Sequence, residues 1–174
     1  MDRRIVNLDE LDYEPWDKYF PPNAKPPLER FGAEVSKISG LIGALKLGYN
    51  VTVLKAGKKA YPRHAHRVNE ELFLVLEGAG EVRIGDQTLA IRQGDLIAAP
   101  PGGPETAHQL INTSPDMDLK VLCISTLEYP DIIEYPDAGN VAFGGLFKGP
   151  DGKPAPLRKL FKADDTKAGY WDGA

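Results

Sequence analysis

The sequence predicts an all-β domain built as a sandwich or barrel. Three observations carry that expectation. Apolar residues alternate with period two in the zone from 44 to 126, short apolar runs recur there at even spacing with Gly, Pro, Asn and Asp between them, and no stretch of the zone sustains a helical period. The first run sets Leu45, Leu47, Tyr49, Val51 and Val53 on one face and Lys46, Gly48, Asn50 and Thr52 on the other, the pattern of a half-buried strand. A nearly continuous apolar run follows at 72–76, then another at 82–84. Gly85-Asp86 is a plausible two-residue hairpin turn into a strand at 87–91. Further strands are expected at 96–99, 107–111 and 119–126.

Both flanks differ from this central zone. Residues 1–43 begin acidic and then cluster Pro15, Pro21, Pro22, Pro26 and Pro27. Proline fixes φ and lacks an N–H, so this arm is expected to be extended or irregular and to lie across its own barrel or a neighbouring subunit. Residues 127–174 are again rich in Pro and Gly, but Tyr129, Tyr135, Phe143, Phe147, Phe161, Tyr170 and Trp171 make them too aromatic for a disordered tail. That segment is expected to pack on the barrel as an irregular extension, with a helical turn near 156–162. Arm, barrel (44–126) and extension together form one domain, which suits 174 residues.

Composition narrows the function classes. Acids outnumber bases by 25 to 21, for a formal charge of −4, which argues against nucleic acid as the main partner. No helix-turn-helix pattern accompanies the strands. Neither a transmembrane run nor a signal peptide stands out, so no membrane partner is expected. The lone Cys123 suits a reducing compartment, and a cytoplasmic location is expected.

The three histidines carry the chemistry. His64 and His66 are two apart, so on a strand they share a face. Glu71 follows a polar stretch that can turn the chain, and it opens the next apolar run. His108 arrives from a later strand, after the loop 100–104. Three imidazoles and a carboxylate brought to one point suit Zn, Mn, Fe, Co or Ni, and ligand type alone does not choose among them.

These residues resemble the two motifs of the cupin superfamily. The first appears as Gly57, His64-Ala65-His66, Glu71 and Gly78, the second as Gly94, Pro100-Pro101-Gly102, His108 and Asn112. Two departures are present: one extra residue between Gly57 and His64, and an enlarged loop between Gly102 and His108. Neither touches a ligand position. Glu71, rather than Glu70, keeps the motif's six-residue spacing to Gly78. The resemblance implies a jelly-roll barrel (a double-stranded β-helix), one divalent metal at its mouth held by His64, His66, Glu71 and His108, and a homodimer.

Other residues weigh less. Phe73 lies on the same strand face as Glu71, and either lines the pocket for a substrate or packs in the core. Tyr61 is a second candidate for substrate contact. Arg63, Arg67, Lys58 and Lys59 could attract an anionic substrate or form a solvated loop, and Arg63 should point away from the histidine face. Cys123 reads as a buried apolar residue, with no further histidine to activate it. The expected partner is a small molecule. The expected function is isomerase or epimerase chemistry on a sugar or sugar phosphate. The alternatives are a dioxygenase with the same ligands, in which Glu71 acts as a base, and a non-catalytic binding or sensing module.

Overall fold

The structure, a computed structural model, describes residues 4–19 and 25–163. Pro21, Pro22, Tyr170 and Trp171 lie outside the described residues. Thirteen strands follow in order: β1 (Glu14–Pro15), β2 (Ala33–Lys37), β3 (Leu47–Leu54), β4 (Ala65–His66), β5 (Glu71–Glu77), β6 (Ala79–Ile84), β7 (Gln87–Arg92), β8 (Leu96–Ala99), β9 (His108–Ile111), β10 (Leu119–Thr126), β11 (Asp131–Tyr135), β12 (Asn140–Lys148) and β13 (Pro154–Lys162). The one α-helix among the described residues, α1 (Ser39–Ile42), is a single turn. Within the central zone the strands follow the expected runs to within two or three residues. Gly85 has φ of 52°, and a Cβ there would meet the Glu105 carbonyl oxygen at 2.7 Å, so the hairpin turn requires glycine.

A six-stranded sheet in the order β1-β2-β3-β10-β5-β8 faces a three-stranded sheet β7-β6-β9. Side chains from both meet in one core that includes Leu54, Phe73, Val75, Val82, Ile91, Leu110, Leu119 and Val121. This jelly-roll barrel, made of antiparallel sheets closed around apolar residues, meets the expected fold class.

The face assignment of β3 differs from a simple one-sided strand. Val51 and Tyr49 point outward and pack with Leu11, Ile38, Val6 and Leu8 of the N-terminal arm. Leu54 and Thr52 are buried on the opposite side, Leu54 in the barrel core. The arm therefore lies across its own barrel, and β2 joins the sheet by pairing with β3. Both faces of β3 are covered, so polar and apolar positions alike are removed from water.

The C-terminal segment is also more regular than expected. Residues 156–162 lie within β13 and form no helical turn. β13 pairs with β12 over nine residues, and β11 pairs with both β12 and β4, giving the sheet β13-β12-β11-β4. Nine cross-strand pairs satisfy backbone groups that an isolated helical turn would leave open. This sheet closes one side of the barrel mouth, where the histidines stand.

Candidate metal centre

Three sheets deliver the four residues. His64 and His108 sit opposite each other in an antiparallel bridge and exchange both backbone hydrogen bonds, at 3.1 and 2.8 Å. Their rings are side by side, with centroids 4.7 Å apart. His66 lies on β4 opposite Ile133 of β11, and Glu71 opens β5. Potential ligand atoms of His64, His66 and Glu71 all lie within 4.8 Å of one another. His108 is nearer still to the carboxylate: its Nε2 is 2.8 Å from Glu71 Oε2, against 3.6 Å for His66 Nε2 and 3.8 Å for His64 Nε2. The exposed neighbour Glu70 takes no part in this cluster.

The far side of each ring settles which nitrogen faces the centre. His64 Nδ1 is 2.8 Å from the Pro62 carbonyl oxygen, His66 Nδ1 is 2.6 Å from Asp131 Oδ2, and His108 Nδ1 is 3.4 Å from the Thr106 carbonyl oxygen. For His64 and His66 the close outward acceptor makes Nδ1–H the donor and turns Nε2 toward Glu71. His108 faces acceptors on both sides, and the 2.8 Å contact makes its Nε2–H the donor to Glu71 Oε2. Burial opposes charge on Glu71. The hydrogen bond from His108 and the nearby His64 and His66 overcome that cost and hold the carboxyl down at about 2. Burial, reinforced by His108, lowers His64 to about 4, so its imidazole is neutral near pH 7. The Nε2 atoms of His64 and His66 converge on the carboxylate that His108 Nε2–H already bonds, so a cation replacing that proton would be shared by all four residues. The donor set, three nitrogens and one oxygen, therefore fits a divalent transition metal.

Asp131 was not legible as a site residue in the sequence. It is 3% exposed and collects three donors: His66 Nδ1, the Val68 backbone N–H at 3.1 Å and Asn69 Nδ2 at 2.8 Å. Its place in Tyr129-Pro130-Asp131 carries no spacing that would announce it. Tyr135, noted only as one aromatic among several, stacks on His64 with centroids 5.9 Å apart, and its hydroxyl accepts a hydrogen bond from Arg158 at 3.1 Å.

The remaining candidates fall into place around this centre. Phe73 is buried in the barrel core with its ring 5.3 Å from His108, supporting that imidazole from below. Tyr61 packs edge-on against Trp16 at 5.2 Å and faces His64 at 6.5 Å, and burial pushes its phenol well above the usual range. Burial likewise raises the Cys123 thiol to about 12, which keeps it protonated and unreactive. Arg63 does point away from the histidines and is bound by Asp137 and the Gly85 carbonyl. Arg67 is paired with Glu134, Arg83 with Asp137, and Lys58 reaches the Leu28 and Glu29 carbonyls.

Residues 50–125 match the family model of the cupin domain. An uncharacterized protein of Methanocaldococcus jannaschii is 33% identical over 66 residues, a match covering 38% of this chain and half of that relative's length. Among solved structures, a sugar phosphate isomerase from a cupin superfamily of Silicibacter pomeroyi superposes with a TM-score of 0.72 at 20% identity, covering 95% of this chain and 97% of its own. The polyketide cyclase RemF of Streptomyces resistomycificus gives 0.54 at 20% identity, covering 74% and 83%. A cupin 2 conserved barrel domain protein from Rhodopseudomonas palustris gives 0.52 at 20%, covering 68% and 73%. At these identities the likeness is one of fold.

Proposed function

We propose, on the premise that residues 50–125 form a cupin domain, that the chain is a metal-dependent enzyme that moves a proton beside the carbonyl of a small polar molecule, as a sugar isomerase or epimerase does. The observation that carries the reading is the turning of three imidazole Nε2 atoms toward one ionised carboxylate oxygen at the barrel mouth. Zn, Mn, Fe, Ni or Co held by His64, His66, Glu71 and His108 would supply Lewis-acid polarisation of a carbonyl oxygen.

The chain's own residues supply the rest. Asp131 and the Pro62 carbonyl hold His66 and His64 with Nε2 toward the centre, and with a metal bound the Thr106 carbonyl would accept from His108 Nδ1–H in the same way. A carboxyl held at about 2 suits a ligand better than a base at neutral pH, so Glu71 is the weaker candidate for proton transfer. Tyr135 is better placed as the acid, giving its proton to the carbonyl oxygen as the enol forms. The proton leaving the neighbouring carbon passes to solvent water at the open mouth, and water reprotonates the phenolate. Arg158 occupies an acceptor site on Tyr135 Oη, which leaves the phenolic O–H free to donate toward a molecule at the mouth. Arg63, Arg67 and Arg83 are already engaged by carboxylates, which favours an uncharged substrate over a phosphorylated one.

The test is hydrogen–deuterium exchange at the carbon next to the carbonyl, followed by NMR in D2O over a panel of aldoses, ketoses and simpler hydroxy-ketones with metal-loaded protein. Exchange is expected, falling on the order of a hundredfold in Tyr135→Phe. No exchange across the panel would sink this reading in favour of a binding or sensing module. Oxygen consumption with a redox-active ion would move the assignment to a dioxygenase.

We also infer a homodimer. Leu146, Phe147, Leu157, Leu160 and Phe161 stand exposed on β12 and β13, and β13 is an edge strand among the described residues. A monomeric mass by light scattering would refute this. Among the described residues no helix is long and apolar enough to cross a membrane.

A further inference from the structure

Beside His66 and Glu71 a cavity of about 200 Å³ opens to solvent. Its other walls include Leu127 and Tyr129 of the turn after β10, and Ile133 and Gly144 of the C-terminal sheet. Most of the polar groups along it are engaged, apart from the hydroxyls of Ser125 and Tyr129. Thr126 Oγ1 donates to Asn69 Oδ1 at 2.9 Å, Asn69 Nδ2 is shared between the Glu128 carbonyl and Asp131, and the Asp131 carboxylate holds three donors. Among the described residues no Lys or Arg lines the cavity, and Arg158, across the strand pair from Gly144, is turned to Tyr135. A molecule entering beside the metal centre therefore meets an apolar wall with few open hydrogen-bonding groups.

Gly144 points to why the space exists. It sits in the middle of β12, in register with Asp131 of β11 and Arg158 of β13. Its φ is not in the left-handed region, and a Cβ built there would meet nothing within 4 Å. Neither backbone conformation nor crowding demands glycine here. A glycine in a strand interior costs stability and marks places where a ligand comes close to the backbone.

We propose that this cavity receives the apolar end of the substrate, a branched alkyl group or a single ring, while the carbonyl oxygen at its other end faces the His64, His66, Glu71 and His108 centre. The assignment rests on the metal-centre reading above and names its substrate class as uncharged carbonyl compounds with one apolar end rather than sugars. Shape and burial select the apolar end, and the four donors select the oxygen end.

Two uncharged probes with the same hydroxy-ketone head test it: 1-hydroxy-4-methylpentan-2-one and hydroxyacetone, which differ only by an apolar branch. Their dissociation constants are measured by calorimetry on metal-loaded full-length protein, with metal content assayed in the same samples. The longer probe is expected to bind at least about tenfold tighter. Gly144→Leu should bring the ratio near one with its metal retained, and Gly144→Ala should give an intermediate ratio if the larger variant fails to fold. A ratio near one in the metal-loaded wild type would overturn the proposal, as would a ratio that both variants leave unchanged or no measurable binding of the longer probe. A preserved ratio in protein that holds no metal would keep the cavity assignment and sink the metal-centre reading. Tighter binding of glucose 6-phosphate than of the longer probe would also overturn the proposal, because a polyhydroxylated anion would then be the preferred class.

Discussion

His64→Ala and His108→Ala are each expected to abolish metal binding by a protein that otherwise holds about one equivalent after reconstitution and dialysis. Each substitution removes one of three nitrogens. The loss at His108 reaches further, because its Nε2 lies 2.8 Å from Glu71 Oε2 and is the main partner that keeps this buried carboxylate ionised. Asp131→Asn should have a graded effect. It leaves all four donors in place but replaces the acceptor 2.6 Å from His66 Nδ1, so metal affinity is expected to fall roughly ten- to a hundredfold. Elemental analysis of the four purified proteins reads all of this at once. Full metal in His108→Ala with loss in His64→Ala would reduce the centre to the three residues whose donor atoms cluster within 4.8 Å. Negligible metal in every protein would remove the centre altogether and leave a metal-free barrel.

Leu54→Ala is expected to destabilise the fold by about 3 kcal/mol, within the usual range of roughly 2–5 for a buried leucine. Leu54 is 0% exposed and sits in the barrel core on β3, which pairs with β2 on one side and β10 on the other. Neighbours held by two ladders cannot collapse far into the space left behind, so the cavity term should remain large. Leu45, 89% exposed, provides the contrast: Leu45→Ala should change stability by no more than about 0.5 kcal/mol. Urea unfolding of both variants measures the difference. A Leu54→Ala cost below about 1 kcal/mol would mean that the inward face of β3 is wrongly assigned.

That face illustrates where a one-dimensional reading stops. The alternation of Leu47, Tyr49, Val51 and Val53 marks a strand correctly, yet Tyr49 and Val51 pack outside the barrel under the arm, and Thr52 and Leu54 point inward. Period-two patterning reports which positions share a face, not which side another segment will cover. The C-terminal segment shows the converse. Pro154 and Pro156 make β13 look poorly suited to a strand interior, but a proline can occupy a strand that pairs on one edge only, and β13 pairs with β12 alone.

The strands of the central zone and the four proposed ligand positions were determined by the sequence itself. Both are local signals: alternation within a strand, and residue types at short fixed spacings such as His64-Ala65-His66 followed by Glu71. Only the tertiary structure decided which acceptor orients each imidazole, which arginines are already paired, and where open space adjoins the centre. Asp131 lies 65 positions from the histidine it holds, Asp137 lies 74 from Arg63, and Gly144 borders a cavity whose other walls come from β4, β5, β10 and β11 and the segments between them. Such pairings depend on how the sheets close on one another. A chain of residue types does not encode that closure at any single position, because it is fixed by the burial of the whole core and the joint satisfaction of backbone hydrogen bonds.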